Sequence, residues 1–162
     1  MSKTSVMEFV KKYTMILVLI LVTAFFAWQT DGKILLPQNI NNLIAQNAYV
    51  FVLATGMLLC ILTGGNIDLS VGSVVCFVGA VGATMMETYE MNMWVSILVM
   101  LLVGLVIGAW QGFWIAFVRI PPFITTLSGM LVFRGLSNVV LNGMTVSITN
   151  QTFIRIFGGG AD

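Results

Sequence analysis

The sequence predicts an all-α fold, a polytopic transmembrane helix bundle with interrupted helices and about five membrane segments. Three observations carry this. The 162 residues are 59% hydrophobic and 8% charged, with a mean hydropathy of +1.02, whereas a soluble domain carries about 25% charged residues. Seven basic and six acidic side chains cannot cover a soluble protein of this size, so the solvent for most of the chain is lipid. Long uncharged runs recur, and glycines or prolines break them at "TGGNID" (63–68) and "RIPPF" (119–123).

Composition also excludes several functions. A net charge of +1 offers no basic patch to neutralise phosphates, so no nucleic-acid partner is expected. Histidine is absent, and Cys60 and Cys76 stand 16 residues apart in apolar runs, without metal-site spacing. Both cysteines read as small packing residues, and no metal or cofactor is expected. Without His, an activated Cys or paired carboxylates in a polar cleft, no catalytic residue is assigned and no enzyme activity is expected.

A membrane helix needs about 20 apolar residues, each rising about 1.5 Å, to cross about 30 Å of hydrocarbon. "YTMILVLILVTAFFAWQ", Tyr13–Gln29, is the first. Lys11 and Lys12 before it could flank a signal peptide, but Phe25 stands where a cut after Ala27 would need a small residue. It is read as a retained helix. The uncharged run Ile34–Ile67 is too long for one span and is not uniform. Its front carries Asn39, Asn41, Asn42, Gln46 and Asn47, while Ile40, Leu43, Ile44 and Asn47 follow helical spacing. This part is expected at the membrane interface, leading inward to a short apolar span, Tyr49–Thr63. A third helix, Leu69–Met86, is rich in small residues and meets water at Glu87 and Glu90. Met93–Val118 is the cleanest span, stopped by Arg119 and the pair Pro121–Pro122. Phe123–Leu141 is the fifth and contains Arg134; from Asn142 the polar, Gly-rich tail reads as a loop.

Lys3, Lys11, Lys12 and Arg119 fall on one side of these alternating spans. The other side has Lys33, offset by Asp31, with Glu87 and Glu90. The positive-inside rule therefore places the N-terminus in the cytoplasm.

Gly104, Gly108 and Gly112 fall four apart on one face of the fourth helix, and Gly72, Cys76 and Ala80 repeat the pattern on the third. Small residues at this spacing let membrane helices approach closely, so they are assigned to helix packing. They predict no particular transport chemistry. The interruptions say more, because irregular backbone at membrane depth survives only inside protein or beside a water-filled cavity. Short Gly- or Pro-interrupted segments point to a transporter's pathway.

Asp68 follows 34 uncharged residues and precedes 18 more. One reading makes it the N-cap of the third helix, accepting N–H bonds from Ser70 or Val71, with Ser70 assisting. The other puts it on a substrate route or at a joint between helix pieces, since an intramembrane carboxylate is a functional candidate by default. The two roles are compatible. Arg134, about 15 Å into its helix by rise per residue, has three readings: it snorkels, satisfies loose carbonyls, or pairs with an acid such as Asp68.

At these residues the chain resembles a known family. "GGNIDLSVGSVVCFVGAVGA", "GAWQGFWIAFVRIPPFITTLSGMLVFRGLS", "NGMTVSI" and the asparagine-rich "LPQNINNLIAQNAYVFVLATGM" are similar to the permease subunits of bacterial ABC importers for monosaccharides. These are the ribose/xylose/galactose type, and the likeness runs closest to the xylose and multiple-sugar permeases, covering about Tyr13 to Ile148. The resemblance implies a multi-pass permease of the bacterial inner membrane, with a second permease copy, a cytoplasmic ABC ATPase, a periplasmic sugar-binding protein and membrane lipid as partners. All ATP chemistry would belong to the ATPase, in keeping with the lack of a G-x-x-x-x-G-K-[ST] loop here. Asn66, Asp68, Ser70, Thr125, Thr126 and Arg134 match the family's motifs and are carried over as determinants of the substrate pathway and its joints.

The implied organisation is a cytoplasmic N-terminus over residues 1–12 and the N-terminal half of a transmembrane permease domain over 13–141. A polar Gly-rich loop over 142–162 would begin a missing C-terminal half. Family members are longer, and the loop that docks on the ATPase is not in this chain. The chain is thus expected to be a fragment or the product of a truncated gene, unable to transport alone. Two alternatives stand beside the importer. An ion-coupled secondary transporter or channel would use Asp68 as a proton or cation carrier. A small membrane scaffold would tolerate Asp68→Ala.

Overall fold

The computed structural model describes residues 3–158, with side chains from residue 11 onward. The side chain of Lys3 and the closing residues 159–162 of the tail lie outside it. Among the described residues every regular element is helical, and five helices are long and apolar enough to cross a membrane. The all-α transmembrane bundle expected from sequence is the observed fold. The chain divides into two compact units, residues 1–47 and 48–162.

In the first unit, α1 runs Lys3–Gln29 and leaves helical geometry at Tyr13 (φ −111°, ψ 16°), where the basic flank gives way to the apolar run. It ends as the Thr30 hydroxyl donates to the Phe26 carbonyl (2.6 Å) and the Gly32 N–H to the Ala27 carbonyl (2.7 Å). Gly32, left-handed at φ 78°, makes that return possible and closes carbonyls a helix end leaves open. A short 3-10 turn, Lys33–Leu35, leads into α2, Pro37–Leu62. Proline at the first helical position gives up no hydrogen bond.

α2 departs from expectation. Instead of an interfacial stretch followed by a short span, it is one helix of 26 residues, roughly 39 Å long at about 1.5 Å per residue. Its asparagines do not interrupt it, and two of the four bond the nearby backbone through their amides. Asn39 Nδ2 donates to the Ile34 carbonyl (3.0 Å) and Asn47 Nδ2 to the Leu43 carbonyl (2.8 Å).

The core of the second unit is α3 (Val71–Ala83), α4 (Met93–Ala116) and α5 (Pro122–Val140). α3 is central, packed most extensively on α5 and next on α4. Its interior holds Ala80, Ala83, Met86, Met93, Ile107 and Phe133, but equally Ser70, Ser96, Gln111, Thr125, Thr126 and Ser137. Leu98, Leu101 and Leu105 on α4, and Leu131 and Val139 on α5, face outward. Hydrocarbon gives no drive to bury such side chains, whereas polar groups in lipid must find partners inside. The molecule is accordingly polar within and apolar without.

Local chemistry fixes the helix ends. α3 continues as a π-helical turn, Thr84–Thr88, and α4 starts where Asn92 Oδ1 accepts from the Trp94 N–H (2.9 Å). α5 opens on Pro121–Pro122, as the sequence suggests. The tail is more than a loop. Asn150 Oδ1 accepts from the Phe153 N–H (3.1 Å) and starts a seven-residue helix, α6 (Gln151–Phe157). Glu87 ties this tail to the end of α3: its carboxylate accepts from the Thr149 N–H (2.8 Å) and hydroxyl (2.6 Å).

Of the small residues at four-residue spacing, Ala80 is buried and Cys76 Sγ lies 3.7 Å from Ser137 Oγ of α5, but the glycines themselves are not closely approached. A Cβ at Gly72, Gly104, Gly108 or Gly112 would meet open space within this chain. At Gly82 it would fall on the Met100 side chain, and at Gly129 on the Gln111 amide. The tight contacts are thus α3 on α4 at Gly82 and α4 on α5 at Gly129. Four-residue spacing marks a smooth helix face; it does not say whether a neighbour covers it.

Candidate functional site

The break between α2 and α3 is the most informative local structure. Thr63 donates its hydroxyl to the Leu59 and Cys60 carbonyls (3.1 and 3.0 Å), closing the end of α2. Gly64 (φ 147°) and Gly65 (φ 72°) then occupy conformations a side chain would strain, and the Gly65 N–H returns to the Ile61 carbonyl (2.7 Å). The chain runs on without helical structure through Leu69, and α3 begins at Val71 with Ser70 in the N-cap place.

Asp68 is therefore two residues upstream of the N-cap position, not in it. Ser70 in turn lends no side-chain cap to α3. Asp68 Oδ1 accepts from the Ser70 N–H (2.8 Å) and from the Ser70 hydroxyl (2.6 Å). This is an Asx-type turn, in which a short side chain replaces a backbone carbonyl in shaping the approach to the helix. Across the break, Thr126 of α5 donates its hydroxyl to the Ile67 carbonyl (3.3 Å). Irregular backbone at membrane depth is thereby satisfied by protein.

Gln111 of α4 completes the arrangement. Its Oε1 lies 3.0 Å from Ser70 Oγ, and its Nε2 lies against Gly129 with no hydrogen-bond partner. Ser70 is 1% exposed and Gln111 6%. One hydroxyl proton serves one acceptor well, and the shorter bond to the carboxylate takes it. The amide then meets the Ser70 oxygen best with its NH2 turned toward it, which leaves the amide oxygen facing Gly129 instead. As placed, the amide nitrogen lacks a partner within the chain.

Around these residues lies a cleft of about 250 Å³, lined by Thr63, Asn66, Asp68, Gln111 and Thr126, with Cys60, Gly108 and Gly112 on its walls. That is room for several waters or for a small solute. Among the sequence-derived candidates, Asn66, Asp68 and Thr126 line the cleft, and Ser70 is buried behind Asp68. Thr125 is buried with its hydroxyl unpartnered and does not line it. Arg134 is exposed on α5 and is not brought to Asp68, whose bonds go to Ser70. Gln111 was not among the candidates. Its signal was available as the one amide in the largely apolar helix Met93–Ala116. Among the described residues no group of His, Cys, Asp and Glu is placed to hold a metal ion.

Residues 39–160, about three quarters of the chain, match a family described as the permease component of branched-chain amino acid transport systems. The chain belongs to this permease family. With its five apolar helices it is a multi-pass membrane protein. It is 41% identical over 144 residues to the xylose transport system permease protein of Escherichia coli, covering 89% of this chain and 36% of that protein. The xylose transport system permease protein of Haemophilus influenzae is 37% identical over 148 residues, 91% of this chain and 39% of the relative. The ribose import permease protein of Escherichia coli is 37% identical over 120 residues, 74% and 37% of the two chains. The chain thus spans little more than a third of the length of these relatives. No solved structure matches it significantly.

Proposed function

We propose that this chain is the N-terminal part of the permease subunit of an ABC importer. It would carry a monosaccharide, xylose or a related sugar, across the bacterial inner membrane. The observation that carries this reading is the polar cleft at the broken α2–α3 junction, where Asn66, Asp68, Gln111 and Thr126 converge within an apolar bundle. Likeness to xylose and ribose permeases supports the solute class. Polar, mostly uncharged donors and acceptors suit a neutral sugar that must bind weakly and leave.

In this account Asn66, Asp68, Ser70 and Thr126 shape the pathway and its joint. Thr125 and Arg134 act away from the cleft. A second permease copy, a cytoplasmic ATPase and a periplasmic sugar-binding protein complete the machine. The ATPase does all the ATP chemistry, since no phosphate-binding loop motif occurs in this chain. The N-terminus faces the cytoplasm, as the distribution of Lys11, Lys12 and Arg119 supports.

The test is uptake of labelled xylose by cells lacking the gene and rescued with its intact reading frame. Unlabelled xylose should compete best, ahead of ribose and galactose. Rescue of no sugar uptake, with the complex verified in the membrane, would remove the sugar from the account.

A further inference from the structure

We propose that Asn66 and Asp68 form the solute-contacting edge of the cleft: the second carboxylate oxygen of Asp68 and the side-chain amide of Asn66 hold hydroxyls of a neutral polyol, and the carboxylate turns acids away. This deepens the proposed function and rests on the cleft being part of the solute route. Asp68 meets Ser70 through Oδ1 alone, 2.8 Å from the N–H and 2.6 Å from the hydroxyl. Those two bonds hold the carboxylate in place and leave Oδ2 free to accept. Asn66 is freer still. Asn39, Asn47, Asn92 and Asn150 each bond the nearby backbone, as asparagine at turns and helix ends commonly does. The Asn66 amide makes no hydrogen bond to the described residues. Nor is it sealed off: among those residues, the buried side-chain atoms without a partner lie on Thr84, Gln111, Trp114 and Thr125. Asn66 and Asp68 are instead half-buried on the cleft wall, and their unengaged atoms open to it.

A hydroxyl both donates and accepts, so a diol can give a proton to Asp68 Oδ2 and bond either end of the Asn66 amide. At most about 7 Å of chain separates the two residues, so one small solute can meet both. Water can hold these places between passages. An acid fares worse on this wall. Asp68 is the one charged side chain among the described residues lining the cleft, and no Lys or Arg stands there to balance a second negative charge. The fold does not depend on the Asn66 amide, because Gly64, Gly65, Asp68 and Thr126 already shape and hold the break.

Cys60 provides a native reporter. It is a free thiol on the wall of the same cleft, whereas Cys76 is a free thiol outside it. In membranes holding the complete transporter, alkylation by N-ethylmaleimide would be followed on both peptides by mass spectrometry, across series of xylose and of its acid, xylonate. Xylose should slow labelling of Cys60 and leave Cys76 unchanged, and xylonate should protect about tenfold less well. Asn66→Ala should raise the half-protecting xylose concentration roughly three- to tenfold, as loss of a neutral hydrogen bond does, without lowering the unfolding temperature. Asn66→Ser serves if the Ala variant does not reach the membrane. Asp68→Asn keeps the acceptor for Ser70 and removes the charge, so xylonate should come within about threefold of xylose. Unchanged xylose protection in the Asn66 variants, or equal protection by xylose and xylonate in the unaltered protein, would overturn the contact while leaving the route intact. So would discrimination against xylonate that survives Asp68→Asn. A Cys60 that does not label, or that no sugar among xylose, ribose and galactose protects, would overturn the route itself.

Discussion

The Ser70 hydroxyl donates to Asp68 Oδ1 at 2.6 Å while the Ser70 N–H reaches the same oxygen at 2.8 Å. A single carboxylate oxygen thus gathers the two donors of the residue that opens α3. The charge does not cap the helix directly; it shapes the turn that delivers the chain to it. Gly64 and Gly65 stand just ahead, where α2 must end within a few residues.

Asparagine at this position keeps an oxygen where Oδ1 stands. Asp68→Asn should cost about 1 kcal/mol of stability, the difference between a charged and a neutral acceptor, and reduce uptake only a few-fold. Asp68→Ala removes the acceptor of two donors and should cost about 1–3 kcal/mol. Thermal unfolding of the detergent-solubilised complex, with uptake in parallel, measures both. Near-complete loss of uptake in a normally inserted Asp68→Asn protein would show that the negative charge itself is needed.

Thr126 holds the broken backbone from the α5 side through the Ile67 carbonyl. Thr126→Val, which keeps the shape and loses the hydroxyl, should destabilise by about 1 kcal/mol. Thr126→Ser should retain most of the stability. Equal losses in the two would assign the effect to packing, not to the hydrogen bond.

Glycine at 129 and glycine at 104 make opposite predictions. Gly129→Ala drives a methyl group onto Gln111 and should cost about 1–3 kcal/mol, as overpacking does. Gly104→Ala faces open space and should change stability by less than about 0.5 kcal/mol. A loss at Gly104 matching that at Gly129 would restore the four-spaced glycines to a packing role in the assembled protein.

Thr149→Val removes the hydroxyl half of the link between the tail and Glu87. Hydrogen exchange over residues 145–157 should quicken, while α3, α4 and α5 keep their protection. Faster exchange throughout the core would mean that the tail supports the whole bundle.

Much of the fold was legible because a bilayer imposes length and composition on each span. Breaks at Gly64–Gly65 and Pro121–Pro122 were legible because glycine admits left-handed backbone that other residues avoid and proline fixes φ and removes a donor. The reach of α2 was not. Asparagine suggests an interface, yet Asn39 and Asn47 satisfy their amides on neighbouring carbonyls and let one helix run through. α6 was hidden by its polar, Gly-rich surroundings, although Asn150 followed by Phe153, Ile154 and Phe157 has the spacing of a capped helix. Within the site, Asp68 and Ser70 are neighbours in sequence, and their bond is local. The meeting of Ser70 with Gln111, 41 residues away, depends on how α3 and α4 pack, which spacing alone does not encode. The same holds for Arg134, which a purely electrostatic reading could pair with Asp68 but which helix rotation leaves exposed.

Energy coupling tests the central claim most directly. Labelled xylose uptake would be measured in rescued cells with the partner ATPase active, with it inactivated, and with the proton gradient collapsed while ATP is maintained. The account predicts that uptake vanishes with the ATPase and survives loss of the gradient. Uptake that persists without the ATPase and collapses with the gradient would contradict it, and would make Asp68 an ion carrier in place of a residue that shapes a sugar's path.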